Sequence, residues 1–281
     1  MRHLLTLSAL LLAGCSYAAP PAETTVTWHG HAAFEIVTPK GKVLMIDPWL
    51  KNPANPLVKS GKDPIAAVAK LDYIVLTHGH FDHVGDAVAL AKKTGARLVT
   101  NFELGTNLAK LHGYPKDLMG FDTLLNIGGE IEIADGEVRV ALTPAVHSSG
   151  LNDPFAGEKD PDIVYGGDAA GVVIRIKNGP TIYHTGDTAY FRDMSVIAEL
   201  YEPDLALVNI GGHFGMEPEI AARAAKTVQA KLAVPHHYGT FPVLTQDPKR
   251  FADEAEKRGV AYRILAPGGS ITFQGDKPLK N

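Results

Sequence analysis

Four side chains able to ligate a metal fall within the six residues His78-Gly79-His80-Phe81-Asp82-His83, and this stretch constrains the chain more than any other. It follows the apolar run Tyr73-Ile74-Val75-Leu76, which reads as a short buried strand, and precedes a helical pattern from Asp86 to Lys93. The motif therefore stands where a strand hands over to a helix. In an extended segment His78 and His80 project the same way, while Asp82 and His83 enter the turn that opens the helix, so all four can converge on one small volume. Imidazole and carboxylate together suit zinc, with manganese, iron or nickel as alternatives. A lone histidine among the twelve of this chain would carry no such reading, but three with an aspartate in this spacing do.

The same placement recurs along the chain. Like His78, the residues His147, Asp187, His213 and His237 each lie just past an apolar run that reads as a strand: Glu137 to Leu142, Thr181 to Tyr183, Leu205 to Asn209 and Leu232 to Val234. Sheets of α/β proteins build their sites at that edge. Further strands are expected at Thr25 to Trp28, Ala33 to Val37, Lys42 to Ile46, Arg97 to Thr100, Glu130 to Ile133, Gly171 to Ile176, Tyr262 to Leu265 and Ser270 to Phe273. Helices are expected from Asp63 to about Lys70, near Glu103 to His112, near Asp193 to Leu200, from Pro218 to Ala230, and from the cap Asp247-Pro248 to Gly259. The polar, Gly- and Asp-rich stretch Ser148 to Asp168 reads as a long loop.

At 281 residues and 45% hydrophobic content the chain can bury a substantial core, and nothing between residues 24 and 275 resembles a linker, so one domain is expected there. With 28 Gly and 19 Pro, many tight turns between short strands are favoured over a helical bundle. The net charge of −4, with basic residues scattered, leaves no footprint for nucleic acid.

Residues 1–19 have a different character. Met1-Arg2-His3 is a short positive region and Leu4 to Leu12 an apolar one, the pattern of a bacterial secretory signal. Leu12-Ala13-Gly14-Cys15 resembles a lipobox, in which Cys15 would carry lipid and tether the mature protein to a membrane; cleavage near Ala18 or Ala19 is the alternative. Either route places the protein outside the cytoplasm, in the periplasm. Cys15 is the only cysteine, so the fold has neither an intrachain disulfide nor a thiolate ligand.

The pattern His-x-His-x-Asp-His resembles the signature of the metallo-β-lactamase-fold hydrolases, and the resemblance extends over residues 25 to about 273. It implies an α/β (α+β) architecture, the αββα sandwich, with two mixed β-sheets packed face to face and helices outside. It also implies two divalent ions, the first on His78, His80 and His147 and the second on Asp82, His83 and His237. Asp187 of Gly186-Asp187-Thr188 would bridge them. A hydroxide shared between the ions would then attack a carbonyl or phosphoryl centre without a protein nucleophile. His236 and His237 adjoin, and in an extended segment they point to opposite faces, so only one should reach the metals; Pro235-His236-His237-Tyr238 resembles the Pro-x-His-Tyr of predicted metal-dependent hydrolases related to ascorbate-phosphate lactonases, which favours His237 over His236.

Asp82 and His213 are the candidate catalytic residues, His213 through substrate contact or proton donation to the leaving group, against a purely structural role. Asp47 is a candidate to orient a ligating imidazole, against a plain turn residue. His31 is divided between a place near the metals and a buried turn. His29, His112 and His184 read as structural, and Tyr238 as an undecided wall residue. Asp187 counts against a true β-lactamase, and His80 against the di-iron oxidoreductases, which carry Glu there. Esters, lactones and phosphodiesters all remain open, on small-molecule or lipid-like substrates. Lys51 to Lys62 and Ser148 to Asp168 are the candidate specificity segments. The alternative from another class is a non-catalytic periplasmic zinc-binding protein.

Overall fold

The structure, a computed structural model, describes residues 23–153 and 162–279. The expected signal over residues 1–19, Cys15 included, and the middle of the Ser148 to Asp168 stretch lie outside them. In chain order the first strands are β1 (Glu23–Trp28), β2 (Phe34–Val37), β3 (Val43–Ile46), β4 (Tyr73–Val75), β5 (Arg97–Asn101), β6 (Leu124–Leu125), β7 (Glu130–Ile133) and β8 (Val138–Pro144). They are followed by β9 (Gly150–Asn152), β10 (Ile163–Tyr165), β11 (Ala170–Ile176), β12 (Thr181–His184), β13 (Leu205–Asn209), β14 (Leu232–His236), β15 (Ser270–Gln274) and β16 (Lys277–Pro278).

One sheet has the order β16-β15-β1-β2-β3-β4-β5-β6 and the other β14-β13-β12-β11-β8-β7. Both are mixed: β3 to β6 and β12 to β14 run parallel, while β1, β2 and β15 in the first sheet and β7, β8 and β11 in the second pair antiparallel. The pleat sorts each strand's side chains between two layers. Leu44 and Ile46 of β3, Val138, Val140 and Leu142 of β8, and Leu205 and Leu207 of β13 meet in the core between the sheets. The intervening residues face outward: Val43 and Met45 pack under the helix Ala87–Thr94, and Ala206 and Val208 under Met194–Tyr201 and Pro218–Thr227. Because both faces of these strands are covered, they read as near-continuous apolar runs. Each fully buried Leu or Val here is favoured by about 1.5–3 kcal/mol over an exposed one. The result is the expected four-layer αββα sandwich.

Several boundaries differ from the sequence reading. The helix after Asp63 stops at Ala67, because Val68 is already extended and Lys93 Nζ donates to the carbonyls of Ile65 and Ala66 at 2.7 Å each. Near Glu103 to His112 an α-helix, Phe102–Asn107, passes into a π-helical turn, Leu108–His112, that ends at left-handed Gly113. Tyr262 to Leu265 forms no strand; only Tyr262 bridges, to Ala233. The Ser148 to Asp168 stretch contains the small antiparallel pair β9 and β10. β6 and β16, two residues each, are too short for periodicity to mark.

Candidate metal centre

The ends of β4, β8, β12 and β14 bring distant residues together. One ligand atom from each of His78, His80 and His147 lies within 4.8 Å of the others, and the same holds for His31, Asp82, His83 and His237. Asp187 stands between the two groups. Its Oδ1 is 3.4 Å from His83 Nε2, and its Oδ2 is 3.2 Å from His237 Nε2 and 3.7 Å from His147 Nε2. His80 precedes the one-turn helix Phe81–Val84, which carries Asp82 and His83.

Hydrogen bonds fix which nitrogen of each ring faces the centre. Asp47, fully buried at the end of β3, accepts from Thr77 N (2.8 Å), Thr77 Oγ1 (2.6 Å) and His83 Nδ1 (2.7 Å). With its hydroxyl hydrogen given to Asp47, Thr77 Oγ1 accepts from His78 Nδ1 at 3.0 Å. Both rings therefore aim Nε2 at the site, and one carboxylate holds the Nδ1 hydrogen of both, directly or through Thr77. On the far side, Asn209 Nδ2 donates to Asp187 Oδ1 at 2.5 Å, leaving Oδ2 toward His147 and His237.

His31 completes the second group. Its Nε2 donates to Asp82 Oδ2 at 2.9 Å, and its Nδ1 is 2.7 Å from Thr240 Oγ1. Its carbonyl accepts from His237 N (3.0 Å) and Trp28 Nε1 (2.9 Å), which staples the turn between β1 and β2 to the end of β14. His31, Asp47 and His237 hold left-handed φ values of 52°, 44° and 67°, uncommon for residues with a Cβ and costing about 1 kcal/mol or more each. Gly211 lets the chain pass close by: a Cβ there would stand 2.6 Å from His237 Nδ1.

Burial holds His78, His80 and His147 below the ordinary imidazole pKa, so they are neutral imidazoles at pH 7, as a cation would require. It also drives His31 to about 3, His237 adding to the effect. Burial works against the Asp82 and Asp187 carboxylates too. The His31 hydrogen bond and His83 overcome it at Asp82, and His237 and His83 at Asp187, so both stay ionised. His83 goes the other way: burial opposes its charge, but Asp187 and Asp47 together hold its pKa well above the usual value.

These residues fit divalent cations. Nε2 of His83 and Nε2 of His237 are buried with no hydrogen-bond partner, although buried polar atoms are rarely left so. His78 Nε2 and His80 Nδ1 stand 3.0 Å apart, a separation that calls for a shared proton or a cation. Neutral imidazole and carboxylate are the donor set of zinc and its neighbours. A cavity of about 640 Å³ opens over His80, Asp82, His147, Asp187 and His237.

The structure thus brings together His78, His80, Asp82, His83, His147, Asp187 and His237, and adds His31. His213 stays apart from both groups: it is exposed, edge-on to Phe214 at 4.5 Å, because left-handed Gly212 turns the chain after β13. His236 is buried between the rings of Phe34 (5.5 Å) and His184 (4.5 Å). It is separated from His237 by the left-handed turn and not, as expected, by strand alternation. His184 Nε2 donates to Ala32 O, and His184 Nδ1 accepts from Gly186 N. His112 Nε2 meets Asn152 O at 2.8 Å. Tyr238 is partly buried and packs on Trp28 at the edge of the core, and His29 is half-buried beside Glu35. Sequence reasoning passed over Thr77, Asn209 and Thr240; Asn209, a polar residue closing an apolar strand, was the one with a signal.

Comparison with known proteins agrees with this geometry. The family model described as beta-lactamase superfamily domain matches residues 42–238. A UPF0173 metal-dependent hydrolase of Anaeromyxobacter dehalogenans is 49% identical over 257 residues, covering 91% of this chain and 89% of the relative. One of Thermodesulfovibrio yellowstonii is 46% identical over 242 residues, covering 86% and 88%. The chain belongs to the metallo-β-lactamase superfamily. Igni18, a metallo hydrolase from Ignicoccus hospitalis, superimposes with a TM-score of 0.74 at 34% identity, covering 89% of this chain and 98% of its own. As a metallo-β-lactamase-fold protein with such relatives, this is a metal-dependent hydrolase. The span matched by the superfamily model contains every residue of the two groups except His31.

Proposed function

We propose that this hydrolase holds two divalent ions, zinc first, on His78, His80 and His147 and on Asp82, His83 and His237, with Asp187 bridging, and cleaves an ester, lactone or phosphodiester with solvent shared between them. The observation that carries the reading is the position of Asp187, whose two oxygens face imidazoles of both groups at 3.2–3.7 Å. Ions bound there would draw the pKa of a shared water toward about 7 and polarise the oxygen of the scissile group. The chain's own part is positional. Asp47 and Thr77 hold two imidazoles with Nε2 forward, His31 keeps the Asp82 carboxylate in one orientation, and Asn209 does the same for Asp187. Ser148 and Asn152 are neutral polar side chains lining the cavity, placed to orient a substrate oxygen.

Loading the protein with zinc, counting ions per chain and assaying an ester, a lactone and a phosphodiester tests this. Two ions and turnover, both impaired in Asp82→Ala, are expected. Two ions with no turnover of any substrate would leave the zinc-binding reading. Export, with Cys15 as lipid anchor, is part of the proposal; the mass of the mature N terminus checks it, since an unmodified chain starting near Ala19 contradicts the anchor.

A further inference from the structure

The walls of the cavity differ from its floor. Above the carboxylates and imidazoles they are built from Phe81, Phe214, Phe241, Pro242, Val243 and Leu244. Phe81, Phe214 and Val243 are 53%, 55% and 58% exposed, which is costly surface to leave uncovered. The wall is braced. Trp49 stacks on Phe241 with centroids 5.4 Å apart and meets Phe81 edge-on at 5.8 Å, and the same indole packs edge-on against His31 at 5.0 Å. The loops bearing Phe214 and Val243 are tied to one another, with Thr245 N donating to Gly211 O at 3.0 Å and a bridge between Gly212 and Leu244. Among the described residues lining the cavity there is neither Lys nor Arg. Besides neutral Ser148, Asn152 and the floor imidazoles, an anionic substrate would have only the ions proposed for the floor to meet its charge, and Asp82 and Asp187 already face those. Phosphate recognition ordinarily recruits Arg or Lys as well.

We infer that the substrate is a neutral carboxylic ester or lactone with an apolar chain or ring, which seats on Phe81, Phe214, Phe241 and Val243, and that phosphodiesters are disfavoured. The inference rests on the hydrolytic reading above and narrows it. In the reaction, a water oxygen bonds to the acyl carbon, and the acyl C–O bond breaks with its electron pair going to the leaving oxygen. That oxygen takes one proton, and the product acid releases the other to solvent.

The experiment has a binding arm and a turnover arm. For binding, 2-alkylcyclopentanones of increasing chain length, neutral and not hydrolysable, are titrated against metal-loaded protein while tryptophan emission is followed. Dialkyl phosphates of matched length serve as the anionic series. Trp49 should respond to the ketones, with affinity rising about three- to fourfold per methylene until the cavity fills, and the phosphates should bind more weakly at every length. For turnover, γ-lactones and alkyl acetates are compared with bis(p-nitrophenyl) phosphate. Phe241→Ala should flatten the chain-length dependence, and Val243→Lys, at an exposed position, should shift preference toward the phosphates. Tighter phosphate than ketone binding, or a flat ketone series, overturns the inference. Absence of turnover with the ketone series intact would count against the hydrolytic reading and leave the apolar preference standing.

Discussion

Asp47 Oδ2 lies 2.7 Å from His83 Nδ1, two fully buried groups that join the end of β3 to the one-turn helix Phe81–Val84. The same carboxylate takes both donors of Thr77, so two oxygens serve three hydrogen bonds. An Asp47→Asn protein keeps the shape but turns an N–H toward a donor. Metal affinity should fall roughly 10- to 100-fold, as for other outer partners of ligating histidines. Competition with a chromophoric chelator measures it, and unchanged affinity would show that the bond is passive.

The two groups should separate by mutation. His80→Ala removes a ligand from one group only and should bind one ion per chain, whereas Asp187→Ala should weaken both. Elemental analysis after dialysis distinguishes the cases. His213→Ala, at an exposed position outside both groups, should retain turnover within about twofold, since exposed substitutions away from special features are usually mild. A large loss there would restore the part in proton transfer expected from sequence.

Metal loading should release protons. Asp187 and Asp47 hold His83 charged in the ion-free protein, against the effect of burial, and a cation can bind Nε2 only after that proton has gone. Calorimetric titration with zinc at pH 7, in two buffers of different ionisation enthalpy, should report about one proton released through this group. A result independent of buffer refutes it.

Acid should destabilise the ion-free fold through His184. Burial lowers its pKa from 6.5 to about 4, and its Nδ1 must stay unprotonated to accept from Gly186 N. The unfolded chain binds the proton more readily, so this contribution is fully present above pH 6.5 and is lost as pH falls toward 4. The whole is about 3 kcal/mol, of which about 2 kcal/mol is gone by pH 5. Urea unfolding at pH 7 and pH 5 checks it: His184→Gln should be weaker at pH 7 yet lose about 2 kcal/mol less on acidification.

Much of the site was readable because its chemistry is local. His78, His80, Asp82 and His83 sit within one strand–helix junction, and an extended backbone alone decides that the first two share a side. The paired buried faces of β3, β8 and β13 were readable for a similar reason, since continuous apolar runs leave few alternatives. His31 could not be decided, because its place depends on a turn near the N terminus reaching the end of β14, a contact that no local pattern encodes. His237 was chosen over His236 by resemblance, but alternation was the wrong physical ground: a left-handed backbone at His237 ends the strand and redirects the side chain. His213 looked equivalent to its neighbours until Gly212 turned it outward.

The pairing of β1 with β15 ties the beginning of the described chain to its end. A growing polypeptide that stops short of β14 already owns His78, His80 and His147, but it lacks His237 and the His237 N–H that ties the His31 carbonyl to the end of β14. On the proposed two-ion reading, cation capture would then follow chain completion, since an unfinished or clipped protein would carry one full group at most until its last strands dock.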